Sequence, residues 1–127
     1  SDASARRALK EFYLAEARAD IGRWLPNYLP TFPCAPTSIR VRPLSSLWGS
    51  LSARDALSLD LALVLGKPAA FEYVLVHELC HLLHRNHSRT FWHAVEARWP
   101  RWRGERDYLH GEGAALKASL RRLVAPA

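Results

Sequence analysis

A chain of 127 residues, 49% hydrophobic and 24% charged, has the length of one ordinary domain and a folding composition, which excludes disorder and a need for disulfide staples. Lysine and arginine number 18 against 12 acidic residues, a net charge of +6, which admits anionic partners such as nucleic acid, nucleotides or an acidic surface. No apolar run reaches the roughly 18 residues of a membrane span, and two cysteines, Cys34 and Cys80, make no secreted disulfide framework, so a reducing, cytoplasmic setting is expected.

Residues 3–24 carry Leu9, Phe12, Tyr13, Ala17, Ile21 and Trp24 mostly three and four apart, one stripe of an amphipathic helix that should pack on a core. Pro26, Pro30, Pro33 and Pro36 then forbid continued helix and predict a loop. Residues 38–42 alternate as a short half-buried strand. Residues 46–52 read as a second strand, a turn falls at Ala53, Arg54 and Asp55, and residues 56–61 alternate as a third. The expected product is a small antiparallel sheet of about three strands.

After Gly66, Lys67 and Pro68, residues 69–84 lack glycine and proline and carry Phe71, Val74, Leu75, Leu79, Leu82 and Leu83, which predicts a largely buried helix. Asn86 and His87 stand where it would end. Ser88 is a plausible N-cap for a helix through Phe91, Trp92 and Trp99, stopped at Pro100. A last helix is expected over residues 114–123. Helix, strands, then helices gives the α+β class, read as one domain over residues 1–127.

The chemistry lies in His77, Glu78, Leu79, Cys80 and His81. Side chains four apart share a helical face about 6 Å apart, so two imidazoles can converge on one ion while Glu78 addresses a water beside it. The flanking residues are apolar, and burying His, Glu and His among them is costly unless a metal or hydrogen bonds compensate. The plainer alternative is a pair of satisfied core histidines. A hydrolytic zinc site needs a third protein ligand and an open position. His84 lies about 10.5 Å along the helix axis from His77, too far to share one ion. If the helix breaks near Asn86, His87 can fold back, so His77, His81 and His87 form the expected ligand set. His84 then becomes a residue behind or beside the site, and His93 and His110 read as surface or packing histidines.

Trp48, Gly49 and Ser50, followed by the HELCH segment at 77–81, Asn86, His87 and Ser88, and Phe91 and Trp92, resemble the YgjP-like metallopeptidase family from the first helix to about Tyr108. The resemblance implies a zincin-like fold with zinc on His77, His81 and His87 and Glu78 as the base. The chain departs from the family pattern at Leu47, Leu51 and Asp60, where the family usually has Arg, Cys and Asn. Upstream strands common in the family are absent and the chain opens at Ser1, so it can be the catalytic portion of a longer protein.

The ligand spacing is shared with metzincins, but those place Gly where His84 stands and require a methionine turn, and this chain has no methionine. SprT-like and WLM-like DNA-associated proteases remain an alternative because of the basic charge and Phe91. The primary expectation is a zinc-dependent peptidase acting on protein or peptide, in which Glu78 takes a proton from water. A nucleotide phosphohydrolase is the second class, favoured by the arginine excess at Arg98, Arg101, Arg103, Arg106, Arg121 and Arg122. A nucleic-acid module with structural zinc is the third, although such sites prefer four ligands and usually cysteines. For the arginines a solvated face is the simpler account, and for Trp48, Phe91, Trp92, Trp99 and Trp102 core packing is simpler than a stacking platform.

Overall fold

The structure, a computed structural model, describes residues 1–124. Helix α1 (Asp2–Tyr28) opens on an N-cap at Ser1, whose hydroxyl accepts the Ser4 backbone N–H. It runs through Pro26, four residues beyond the stop that proline suggested. One lost backbone bond is outweighed there by packing. Trp24 meets Phe71 edge-to-face at 5.1 Å, and the Tyr28 hydroxyl donates to Glu72.

Strands β1 (Ser38–Arg42), β2 (Gly49–Leu51) and β3 (Ala56–Asp60) form a sheet in the order β1-β3-β2. The sheet is mixed, which corrects the expected antiparallel one: β2 pairs antiparallel to β3, but β1 runs parallel to β3 with Ser38 opposite Ala56. β3 takes the centre because it is the most apolar strand, with Leu57 and Leu59 fully buried. The β2–β3 hairpin closes through Asp55, which adopts a positive φ of 64° that aspartate tolerates better than most residues. β2 spans fewer residues than the 46–52 segment suggested, because residues 46–48 form a loop, which meets β3 where Trp48 O accepts the Asp60 N–H at 2.8 Å.

A short 3-10 helix, Leu61–Leu65, follows under an Asp60 cap. Helix α2 (Pro68–Cys80) is buried on nearly every side and packs against β2, β3 and the remaining helices. Helix α3 (Arg89–Arg98) begins at the expected Ser88 cap, whose hydroxyl accepts the Phe91 N–H. Helix α4 (Trp102–Val124) is 23 residues long and starts twelve residues earlier than position 114. The architecture is α+β, four helices on a three-stranded sheet, as its composition order implied. No helix of the described residues is long and apolar enough to cross a membrane.

Candidate metal centre

The end of α2 makes the site. The helix stops at Cys80 rather than His84, and its last turn tightens. His81 N–H bonds to Glu78 O at 3.1 Å, Leu82 N–H to Leu79 O at 2.9 Å and Leu83 N–H to Cys80 O at 3.0 Å. These i to i−3 bonds satisfy the terminal carbonyls and turn the chain back over the helix. Ring centroids of His77, His81 and His87 consequently lie 5.3 Å, 5.2 Å and 4.9 Å apart. The returning turn is tied down by Arg85, which donates to Ser52 O at 2.9 Å and pairs with Asp55 in the hairpin.

His77 and His81 each have their Nδ1 engaged outside the cluster. His81 Nδ1 lies 2.9 Å from the His84 backbone carbonyl, which can only accept, so Nδ1 carries the proton and Nε2 the lone pair. His77 Nδ1 faces the Tyr73 hydroxyl at 3.3 Å. His87 Nε2 stands 3.2 Å from His81 Nε2. That spacing fits two ligands of one tetrahedral ion, whose nitrogen atoms at ~2.0–2.1 Å from the metal would be roughly 3.3 Å apart. Ligand atoms of the three histidines all lie within 4.8 Å of one another, so the cluster could hold a metal ion. Burial, then the neighbouring His81 and His87, lowers the His77 pKa to about 3, and burial also lowers that of His81. Neutral imidazole is the form that binds metal, and burial favours it at His77 and His81.

Glu78 is buried, with Oε2 4.0 Å from His77 Nε2. Burial raises its pKa to about 7, the range in which a carboxylate can both take and give a proton near neutral pH. β2 presses on it: a Cβ built at Gly49 would sit 2.9 Å from Glu78 Cγ and 3.0 Å from Ser58 O, so this wall tolerates only glycine without movement. A cavity of about 550 Å³ opens in front of the cluster, walled by residues 46–51, the α2 side chains Tyr73, His77 and Glu78, and part of α4. β2 is an outer strand of the sheet and borders this cavity.

The sequence reading brought His77, Glu78, His81 and His87 together, and the structure juxtaposes them. His84 stays out of the cluster and contributes its backbone carbonyl, while His93 is exposed on α3. Cys80 is buried, and burial raises its thiol pKa to about 11. Two wall residues differ from their sequence reading, Arg106 as part of a solvated face and His110 as a surface or packing histidine. Arg106 and His110 line the cavity from α4, one turn apart. The spacing of Trp102, Arg106, Leu109, Gly113, Leu116 and Leu120 carried the signal of that longer helix, but its charges and glycines obscured it.

Three convergent imidazoles beside a buried carboxylate, at the end of a core helix and the head of a cavity, make a donor set that could hold a metal ion. The chain belongs to the YgjP-like metallopeptidase domain family, whose model matches residues 1–112. Among solved structures it is similar to the crystal structure of the metallopeptidase zymogen abylysin from Pyrococcus abyssi. There the TM-score is 0.57 and the identity 27%, over 81% of this chain and 93% of that one. A search of curated proteins gives no match.

Proposed function

We propose that the chain is a zinc-dependent peptidase in which His77, His81 and His87 hold the ion and Glu78 is the catalytic base. The observation that carries this reading is the 3.2 Å approach of His81 Nε2 and His87 Nε2 beside Glu78, within a metallopeptidase family. Zinc suits three neutral nitrogen ligands with a fourth position open. When bound it supplies Lewis acidity, making water acidic near neutral pH and polarising a substrate carbonyl.

The chain's own groups do the rest. Tyr73 and the His84 carbonyl orient two imidazoles through their Nδ1 atoms. Glu78 accepts a proton from water as the water oxygen bonds to the peptide carbonyl carbon, and returns it to the amide nitrogen as the C–N bond breaks. Its burial keeps solvent from competing for that proton. The free edge of β2 along the cavity supports a peptide substrate, because an extended chain can add to such an edge through backbone hydrogen bonds. The nucleotide and DNA-associated alternatives draw no comparable support from the family or the structural neighbour.

The test is Glu78→Gln in zinc-loaded protein. It should keep one zinc per chain by elemental analysis and lose peptide hydrolysis by at least about a hundredfold, the lower bound for a general base. Turnover at the wild-type rate would refute the assignment of Glu78.

A further inference from the structure

Three charged side chains besides the histidines line the cavity: Glu78, Arg85 and Arg106. Glu78 is committed to proton transfer in the proposed mechanism, and Arg85 is paired with Asp55 and Ser52. Arg106 differs. Among the described residues no carboxylate forms an ion pair with its guanidinium. It is placed by stacking instead. Its guanidinium carbon lies 4.9 Å from the Trp102 ring centroid, and Trp102 stacks on the cavity residue Trp92 at 4.4 Å and 25°. Arg103 lies over the same ring at 4.3 Å, and a cation held by an aromatic ring keeps its N–H donors for another partner. Trp102 is 6% exposed, so this platform is fixed.

His110, one turn along α4, adds ring nitrogens to the same wall.

We infer that Arg106 receives a carboxylate of the substrate, so that the site selects peptides bearing an acidic side chain or a free C-terminus near the scissile bond. This rests on the peptidase reading above and adds the substrate class. Arg106 is exposed at the cavity, and a guanidinium without an internal acid can receive a planar oxyanion through two parallel N–H donors. The cavity volume, about 550 Å³, lies within the range of pockets that enclose small ligands. Of the two arginines at its wall, Arg85 is paired with Asp55, so Arg106 acts as a specificity element rather than as part of a general basic surface.

The test uses the zinc-loaded full chain carrying Glu78→Gln, so that peptides bind without turnover. Three peptides of one sequence are compared by calorimetry: one amidated with an internal Glu, one amidated with Gln in its place, and the Gln peptide with a free C-terminal carboxylate. At least one carboxylate peptide should bind about tenfold more tightly than the neutral one, and which of them does so identifies the source. Adding Arg106→Gln should bring the ratio near one, and Arg106→Lys should restore part of it. Equal affinity for all three peptides, or a preference that survives Arg106→Gln, overturns the inference. So does inorganic phosphate binding in an Arg106-dependent way without any carboxylate preference. Hydrolysis of the same peptides by the wild-type chain reports separately on the peptidase reading: failure to cleave any of them counts against that reading, while the affinity ratio still decides the role of Arg106.

Discussion

Lys117 reaches from α4 into the loop that carries Trp48, and replacing it by methionine tests what holds the cavity wall. Its ammonium pairs with Asp60 and donates to Leu44 O at 2.9 Å and Leu47 O at 2.8 Å, 4.5 Å from the centroid of the Trp48 ring. Asp60 is 1% exposed and accepts two backbone N–H bonds, from Leu44 at 3.1 Å and Ala62 at 3.2 Å. Breaking one partner of a buried ion pair costs ~3–5 kcal/mol because the other charge is left uncompensated. The two remaining donors on Asp60 place Lys117→Met near the lower end, about 3 kcal/mol. In urea unfolding, with a slope of ~1–3 kcal/mol per molar, the midpoint should fall by about 1–3 M. The double variant Asp60→Asn, Lys117→Met removes the orphaned charge and should return to within about 1 kcal/mol of the parent. A loss below about 1 kcal/mol in the single variant, or no recovery in the double, would refute the view that this pair anchors the wall.

His87→Ala should abolish stoichiometric zinc binding measured by elemental analysis, while His84→Ala should retain it, because His84 contributes only a backbone carbonyl to the cluster. Gly49→Ala should destabilise by about 1–3 kcal/mol in urea unfolding and slow peptide cleavage, since its Cβ would meet Glu78 Cγ at 2.9 Å; an unchanged rate would count against close control of Glu78 by β2. Thiol titration at pH 8 should count one reactive cysteine in the native chain and two in denaturant. Cys34 is exposed, whereas Cys80 is buried and, with a pKa raised to about 11, stays a protonated thiol.

What the sequence made legible was local. Four-residue spacing put His77 and His81 on one face, apolar flanks marked α2 as buried, and axial rise removed His84 as a partner of His77. The Ser88 cap located α3 for the same reason: a hydroxyl three residues before an N–H is a short-range device. Long-range choices were hidden. Nothing in the alternation of residues 38–42 says that this strand crosses to the far side of β3 and runs parallel to it, because pairing depends on which strand buries both faces. Nor does composition show that α1 passes through Pro26, which rests on contacts of Trp24 and Tyr28 with α2. The early part of α4 went unseen because Gly104, Gly111 and Gly113 weaken helix propensity by about 1 kcal/mol each. Tertiary contact explains one of them: a Cβ at Gly113 would lie 2.6 Å from Trp48 Cζ2.

The proposed ligand set divides between two kinds of backbone. His77 and Glu78 sit in the last turn of α2, His81 is its C-cap, and His87 lies exposed in the segment that follows. A third ligand can come from so near in sequence only because the helix ends at Cys80. Four more helical residues would carry the chain about 6 Å further along the axis. The protein itself holds the turn. Arg85 fastens it to the β2–β3 hairpin, the same hairpin whose Gly49 abuts Glu78, and Ser88 starts α3 immediately after the third histidine. The arrangement of ligands and base therefore depends on the sheet as well as on the helix. A change in the hairpin at Asp55, remote from the metal in sequence, should loosen His87 before it unfolds the core, and zinc affinity would register it ahead of thermal stability.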